Sequence, residues 1–272
     1  MSQPNASIDL PPPPPLRPKG VGEILSTALG LYGRYWQTLI PLVAVVVVPL
    51  TLAQYALDHA LWGDVRVDAD QIRTLEQAGD LWERAAGSLL LGVVSVFITL
   101  VLLGAVAWST AGVLVGREPD LGEAYRFGAA RMWSILLVSV LTGLAVLGGF
   151  ILLIVPGLIF LTRFAVSVPV LVIERRRGTD ALSRSWDLVA GHSWPVFGTL
   201  LVAGIVAGVV SGILTAPFAD SWFVRGLFAA LGSVITTPFM ALVFGLVYFD
   251  LRVRKDGLDV AGLEAELRAA AP

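Results

Sequence analysis

The stretch MWSILLVSVLTGLAVLGGFILLIVPGLIFLTRFAVSVPVLVI, residues 132–173, carries one charge, Arg163, in 42 positions. A helix rises about 1.5 Å per residue and the hydrocarbon core of a bilayer is about 30 Å thick, so about 20 apolar residues make one crossing. The stretch is twice that length. Val155-Pro156-Gly157 lies in its middle, and a Pro-Gly pair inside an apolar run is a turn signal. The stretch therefore predicts a tight hairpin of two spans, 132–155 and 156–173. The same rule, applied outward, predicts four more spans at about 39–57, 88–115, 194–217 and 227–249. The expected fold class is all-α: a polytopic transmembrane helical bundle of six spans, occupying residues 20–255.

Composition agrees with that class. Of 272 residues, 56% are hydrophobic and 15% charged, against roughly a quarter charged in soluble domains. A net charge of -2 and the absence of cysteine argue against a nucleic-acid binder and a disulfide-stapled scaffold. Lys and Arg are unevenly placed: fourteen of the 19 fall in the two terminal segments and the loops after the second and fourth spans. Arg66, Arg73, Arg84 and Arg225 fall in the alternate segments. Translocation of basic residues is disfavoured, so both termini are expected on the cytoplasmic side. Residues 1–19 lack a signal-peptide pattern and include Pro11 to Pro15, which predicts a solvated polyproline II tether. The segment after the first span carries Asp58, Asp64, Asp68, Asp70, Glu76, Asp80 and Glu83 against three Arg. Its Ile72, Leu75, Leu81 and Trp82 recur at helical spacing, which predicts an amphipathic helix on the outer leaflet. Residues 256–272, with Leu258, Val260, Leu263 and Leu267, predict a cytoplasmic amphipathic tail.

A repeat runs through the cytoplasmic segments. Gly22-Glu23-Ile24 leads to Trp36, Gly122-Glu123-Ala124 leads to Trp133, and Thr179-Asp180-Ala181 leads through Trp186 to Trp194. Each reads as a short helix in the membrane interface, begun by an acidic residue that suits a helix N-terminus and closed by an interfacial Trp. A transmembrane hairpin follows each, so three interfacial-helix-plus-hairpin repeats account for six spans. Trp36, Trp133, Trp186 and Trp194 are the expected interfacial anchors.

The pattern Gly20-Val21-Gly22-Glu23-Ile24-Leu25 through Tyr35-Trp36, the Pro156-Gly157 hairpin with Arg163, and Ser183-Arg184-Ser185-Trp186 through Gly191-His192-Ser193-Trp194 carry a likeness. They resemble bacterial six-span membrane proteins related to the glycerophosphodiester phosphodiesterase membrane domain. The resemblance covers about Arg17 to Lys255 and implies a module in the bacterial cell membrane, without the catalytic domain that some members carry.

The residues offer little chemistry. A phosphodiesterase site needs converging carboxylates and imidazoles around a divalent metal, whereas the two histidines, His59 and His192, are expected on opposite faces of the membrane. No catalytic residue, metal ligand or cofactor is expected. Arg163 is the residue that demands a partner, because a guanidinium inside a span is costly. Counted from Pro156, it lies about 10 Å below the outer end of its helix. Its expected partners are carbonyls freed by Pro156 and Pro169, hydroxyls such as Thr99, Thr142, Thr162 or Thr237, or an anionic ligand. Arg175, Arg176 and Arg177 form a basic cluster suited to anionic headgroups. Gly204, Gly208 and Gly212 recur every four residues, a spacing that lets helix backbones approach within one chain. Two roles follow: a non-catalytic membrane module that binds or organises anionic lipid or a partner protein, or a permease for a small amphiphilic or anionic solute. Membrane lipids are the expected partners, and the sequence leaves the oligomeric state open.

Overall fold

The computed structural model describes residues 18–62, 75–114, 116–118, 120–174, 176, 178–215, 221–259, 262 and 265, and among them every regular element is a helix. The elements are α1 (Val21–Trp62), α2 (Leu75–Leu114), α3 (Leu121–Leu152), α4 (Ile154–Arg163), α5 (Ser167–Ile173), α6 (Thr179–Val189), α7 (Ser193–Thr215) and α8 (Trp222–Asp256). Six segments are long and apolar enough to cross a membrane: Val21–Leu61, Ala85–Leu114, Leu121–Leu152, Ile154–Ile173, Ser193–Thr215 and Trp222–Asp256. The protein is a multi-pass, all-α membrane bundle. The N-terminal tether, residues 63–74 of the outer acidic segment, Arg175, Arg177 and most of the C-terminal tail lie outside the described residues, and Leu75, Leu81 and Trp82 of the predicted outer amphipathic helix belong to the first turns of α2.

Three helices begin as the acidic residues suggest, with Glu23, Glu123 and Asp180 in the first turns of α1, α3 and α6. An anionic side chain there complements the positive end of the helix dipole. For α3 the start is reinforced by Asp120, whose side chain accepts from the Glu123 N–H at 2.6 Å. The passage from each first stretch into the apolar run differs. In α1 a kink at Tyr35 (φ -109°, ψ 15°) divides it, in α3 the helix runs through without a break, and between α6 and α7 the chain turns at Gly191. Gly191 has φ +85°, a left-handed conformation that a side chain would strain.

The α3–α4 hairpin forms, but its turn lies elsewhere than expected. Leu153 alone breaks the helical path (φ -166°, ψ 158°), and Pro156-Gly157 fall in the first turn of α4. Proline fits there because the first turn of a helix leaves its N–H groups without intrahelical acceptors. The pair therefore starts a helix rather than making the turn, and the third and fourth apolar segments are 121–152 and 154–173 rather than 132–155 and 156–173. Gly149 and Gly157 permit so sharp a reversal, since a Cβ built on Gly149 falls 2.8 Å from Gly157 Cα.

Glycines also set the helix contacts. A Cβ on Gly226 of α8 would meet Tyr55 of α1 at 3.0 Å, and one on Gly245 of α8 would meet Thr110 of α2 at 2.7 Å. The stripe predicted to pack the chain does not do so: a Cβ on Gly204, Gly208 or Gly212 meets nothing within 4 Å. Their spacing puts them on one face of α7, where all three are exposed.

The two ends of the described chain meet. The Lys19 backbone N–H donates to Asp250 Oδ1 at 2.6 Å, and Arg254 donates to Asp250 at 2.7 Å and to Lys19 O at 2.8 Å. The start of α1 and the end of α8 thus share one face of the bundle.

Candidate functional site

Arg163 closes α4, and its partners come from α6. Its Nη1 donates to Trp186 O at 3.1 Å, its guanidinium carbon lies 4.9 Å from the centre of the Trp186 ring, and its own carbonyl accepts from Ser185 Oγ at 2.8 Å. Trp186 O lies in the last turn of α6, where the negative end of the helix dipole attracts a cation. The expected partners were freed carbonyls within the hairpin, threonine hydroxyls or a ligand. The carbonyl found belongs to a different helix, α6. Trp186 is likewise not the outward anchor its type suggests. It is half-buried, with ring centres 6.0 Å from Phe160 and 5.7 Å from Phe164. Trp36, Trp133 and Trp194 are exposed on the bundle surface.

These contacts make Arg163 a structural tie between α4 and α6. Arg163→Ala is expected to lower the unfolding free energy by about 2 kcal/mol, the usual worth of a hydrogen bond to a charged group. An unfolding titration in mixed detergent micelles reads this, and an unchanged midpoint would remove the tie.

A second cluster, which the sequence reading missed, holds α5, α6 and α8 together. Glu174, directly after α5, pairs with Arg184 of α6 at 3.0 Å and with Arg252 of α8 at 3.3 Å. Tyr248 O–H donates to Glu174 at 3.2 Å and accepts from Arg252 Nη1 at 2.7 Å. Asp256 completes the set, pairing with Arg252 at 2.5 Å and also with Arg184. Lys255 Nζ donates to the carbonyl of Asp187 on α6. Arg252 is 6% exposed, and a cation so buried persists only when paired. The one sequence signal is that Glu174 and Arg252 stand at the charged ends of apolar runs. Of the predicted basic cluster, Arg176 is exposed and pairs with Glu174 at 3.2 Å.

Between the α3–α4 hairpin and α7 lies a cleft of about 780 Å³. Thr142, Leu158, Thr162, Leu201, Gly204 and Phe244 are among the residues that line it, and no charged side chain does. Leu161, Leu201 and Ile205 at its rim are about half exposed, so it opens on the flank of the bundle. Arg163 is not in the lining, although its neighbours Thr162 and Phe164 are. The volume falls in the range of small-molecule sites, roughly 300–1,000 Å³.

His59 stacks on Trp222 with ring centres 5.3 Å apart, and His192 lies at the opposite end of the bundle, in the turn before α7. Among the described residues no three His, Asp or Glu side chains converge as a metal site would require.

The chain matches no curated protein and no solved structure. A family model described as a domain of unknown function, DUF7847, covers residues 25–251. That stretch runs from the first turns of α1 to the Glu174–Arg252 cluster at the end of α8, and the chain belongs to this family.

Proposed function

We propose that the protein is a non-catalytic membrane module that binds lipid, taking an acyl chain into the cleft between the α3–α4 hairpin and α7. The observation that carries this reading is the cleft itself: about 780 Å³, apolar, free of charge in its lining and open on the flank of the bundle. A solute path would need polar groups along its length, and no charged side chain lines the cleft. The basic run Arg175, Arg176 and Arg177 supports a preference for anionic headgroups. The Lys and Arg distribution supports termini on the cytoplasmic side of a bacterial cell membrane. The resemblance of the motifs to phosphodiesterase membrane domains favours the same reading, with a lipid partner and no reaction.

The test is to fill the cleft. Gly204 lines it, and a Cβ at this position meets no other atom within 4 Å. Gly204→Trp should fold normally and lose the phospholipid adducts that the parent protein retains in native mass spectrometry from mild detergent. Retention of the same adducts by the variant would overturn the proposal.

A further inference from the structure

The length of 154–173 qualifies it to cross a membrane, but the contacts of its residues set a tighter limit on its reach. Two consecutive residues of α6 hold Arg163, which closes α4, and Glu174, which follows α5. Arg184 pairs with Glu174 at 3.0 Å, and Ser185 Oγ donates to Arg163 O at 2.8 Å. Arg163 and Glu174 are therefore fixed to the same short helix, and α5 packs against α6, α2 and α8 instead of continuing the line of α4. The breaks at Phe164 (ψ 4°) and Val166 (ψ 13°) provide the bend.

The depth of α6 is fixed independently. Arg184 pairs with Asp256, and Lys255 donates to Asp187 O, so α6 lies at the charged end of α8. From that level α4 has ten residues, about 15 Å of helix, to reach the turn at Leu153. The other limb agrees: Leu137 of α3 lies against Gly178 at the start of α6, 15 residues and about 22 Å before Leu152. Along α8, by contrast, Asp250 and Arg225 are 25 residues and about 37 Å apart. A core of about 30 Å is spanned by α8 and not by the hairpin.

The tip suits a place inside hydrocarbon. Ile151, Leu152, Leu153, Ile154 and Val155 are each at least 65% exposed, and none has a polar side chain. Part of the turn's backbone is paired locally, which lowers the cost of placing it against lipid. The Leu153 N–H donates to Gly149 O at 2.9 Å, its carbonyl accepts from Gly157 N–H at 3.3 Å, and Pro156 brings no N–H. We propose that α3 and α4 form a re-entrant hairpin, which enters and leaves the bilayer on the face carrying α6, with residues 151–155 against the ends of acyl chains near the midplane. The four other apolar segments then cross fully, and the cleft beside the hairpin opens into the leaflet on the α6 side. The placement stands without the lipid-binding proposal, because it rests on the Arg163, Glu174 and Asp256 contacts and not on the cleft.

The chain has no cysteine, so single cysteines report position directly. Leu153→Cys, Arg225→Cys and Asp180→Cys in sealed vesicles are treated with a membrane-impermeant maleimide on either face. Position 225 should label from one face, position 180 from the other and position 153 from neither. A bimane attached at position 153 should be quenched more by phospholipid brominated near the chain ends than by phospholipid brominated near the headgroup. Labelling of position 153 from the face that labels 225 would show a full crossing. Labelling of 153 from the face that labels 180, or stronger quenching by the shallow bromines, would equally overturn the placement. Val155→Cys repeats the measurement should Leu153→Cys fold poorly.

Discussion

Glu174→Leu is expected to destabilise the bundle by about 3 kcal/mol, the lower end of what removing one partner of a buried ion pair costs. The side chains of Glu174 and Arg252 are 9% and 8% exposed, so the charge left behind has little water to return to. Arg252 keeps Asp256 at 2.5 Å, which holds the loss to the lower end, while Arg184 and Tyr248 each lose an acceptor on Glu174. The sign of the double variant is more diagnostic than the size of the single one. Glu174→Leu with Arg252→Met removes both buried charges and should be more stable than Glu174→Leu alone, since apolar replacement of a whole buried pair is often neutral. Arg254→Ala breaks an i,i+4 pair with Asp250 nearer the surface and should cost only about 0.5 kcal/mol from that pair. Unfolding titrations in mixed micelles, followed by tryptophan fluorescence, read all three. Equal stability of Glu174→Leu and the parent would mean that the cluster does not hold α5 and α6 to α8.

This cluster also marks what the sequence could not disclose. Apolar runs and their charged borders made the six candidate segments legible, because a bilayer turns length and polarity into a threshold that single residues cannot blur. The Trp36 pattern likewise points to the boundary at which α1 kinks, at Tyr35. Pro156-Gly157 misled by three residues because the same dipeptide serves a turn and the first turn of a helix, and local sequence does not distinguish them. Arg163 was recognisable as a residue in need of a partner. The partner was not, since a main-chain carbonyl such as that of Trp186 leaves no mark on residue identity. Glu174 and Arg252 are 78 positions apart, and their meeting is decided by the path of the chain rather than by either neighbourhood.

Gly128→Ala is expected to be the most damaging glycine-to-alanine change among the described residues, although no repeat or motif draws attention to that position. A Cβ there falls inside contact distance of the Val101 carbonyl oxygen and 3.0 Å from Ala105 N, and both are backbone atoms of α2 that no rotamer change can move aside. The approach is mutual, for a Cβ on Gly104 would lie 2.8 Å from Gly128 Cα and 2.7 Å from Ile135 Cδ1. Accommodating the methyl means prising α2 from α3 and disturbing the stack of Trp108 on Phe127, whose centres are 4.4 Å apart. Overpacking usually costs about 1–3 kcal/mol when side chains can yield, and with backbone on both sides a loss of about 3 kcal/mol or more is expected. The same substitution at Gly204, Gly208 or Gly212 meets open space. There the helix propensity of alanine should leave stability unchanged or raise it by up to about 1 kcal/mol. Melting of the four variants in one detergent decides between spacing and contact as the origin of glycine in this fold. A Gly128→Ala protein that melts with the parent would mean that α2 and α3 do not cross as closely as described. A loss at Gly204, Gly208 or Gly212 would mean that the open face of α7 meets a helix from another chain.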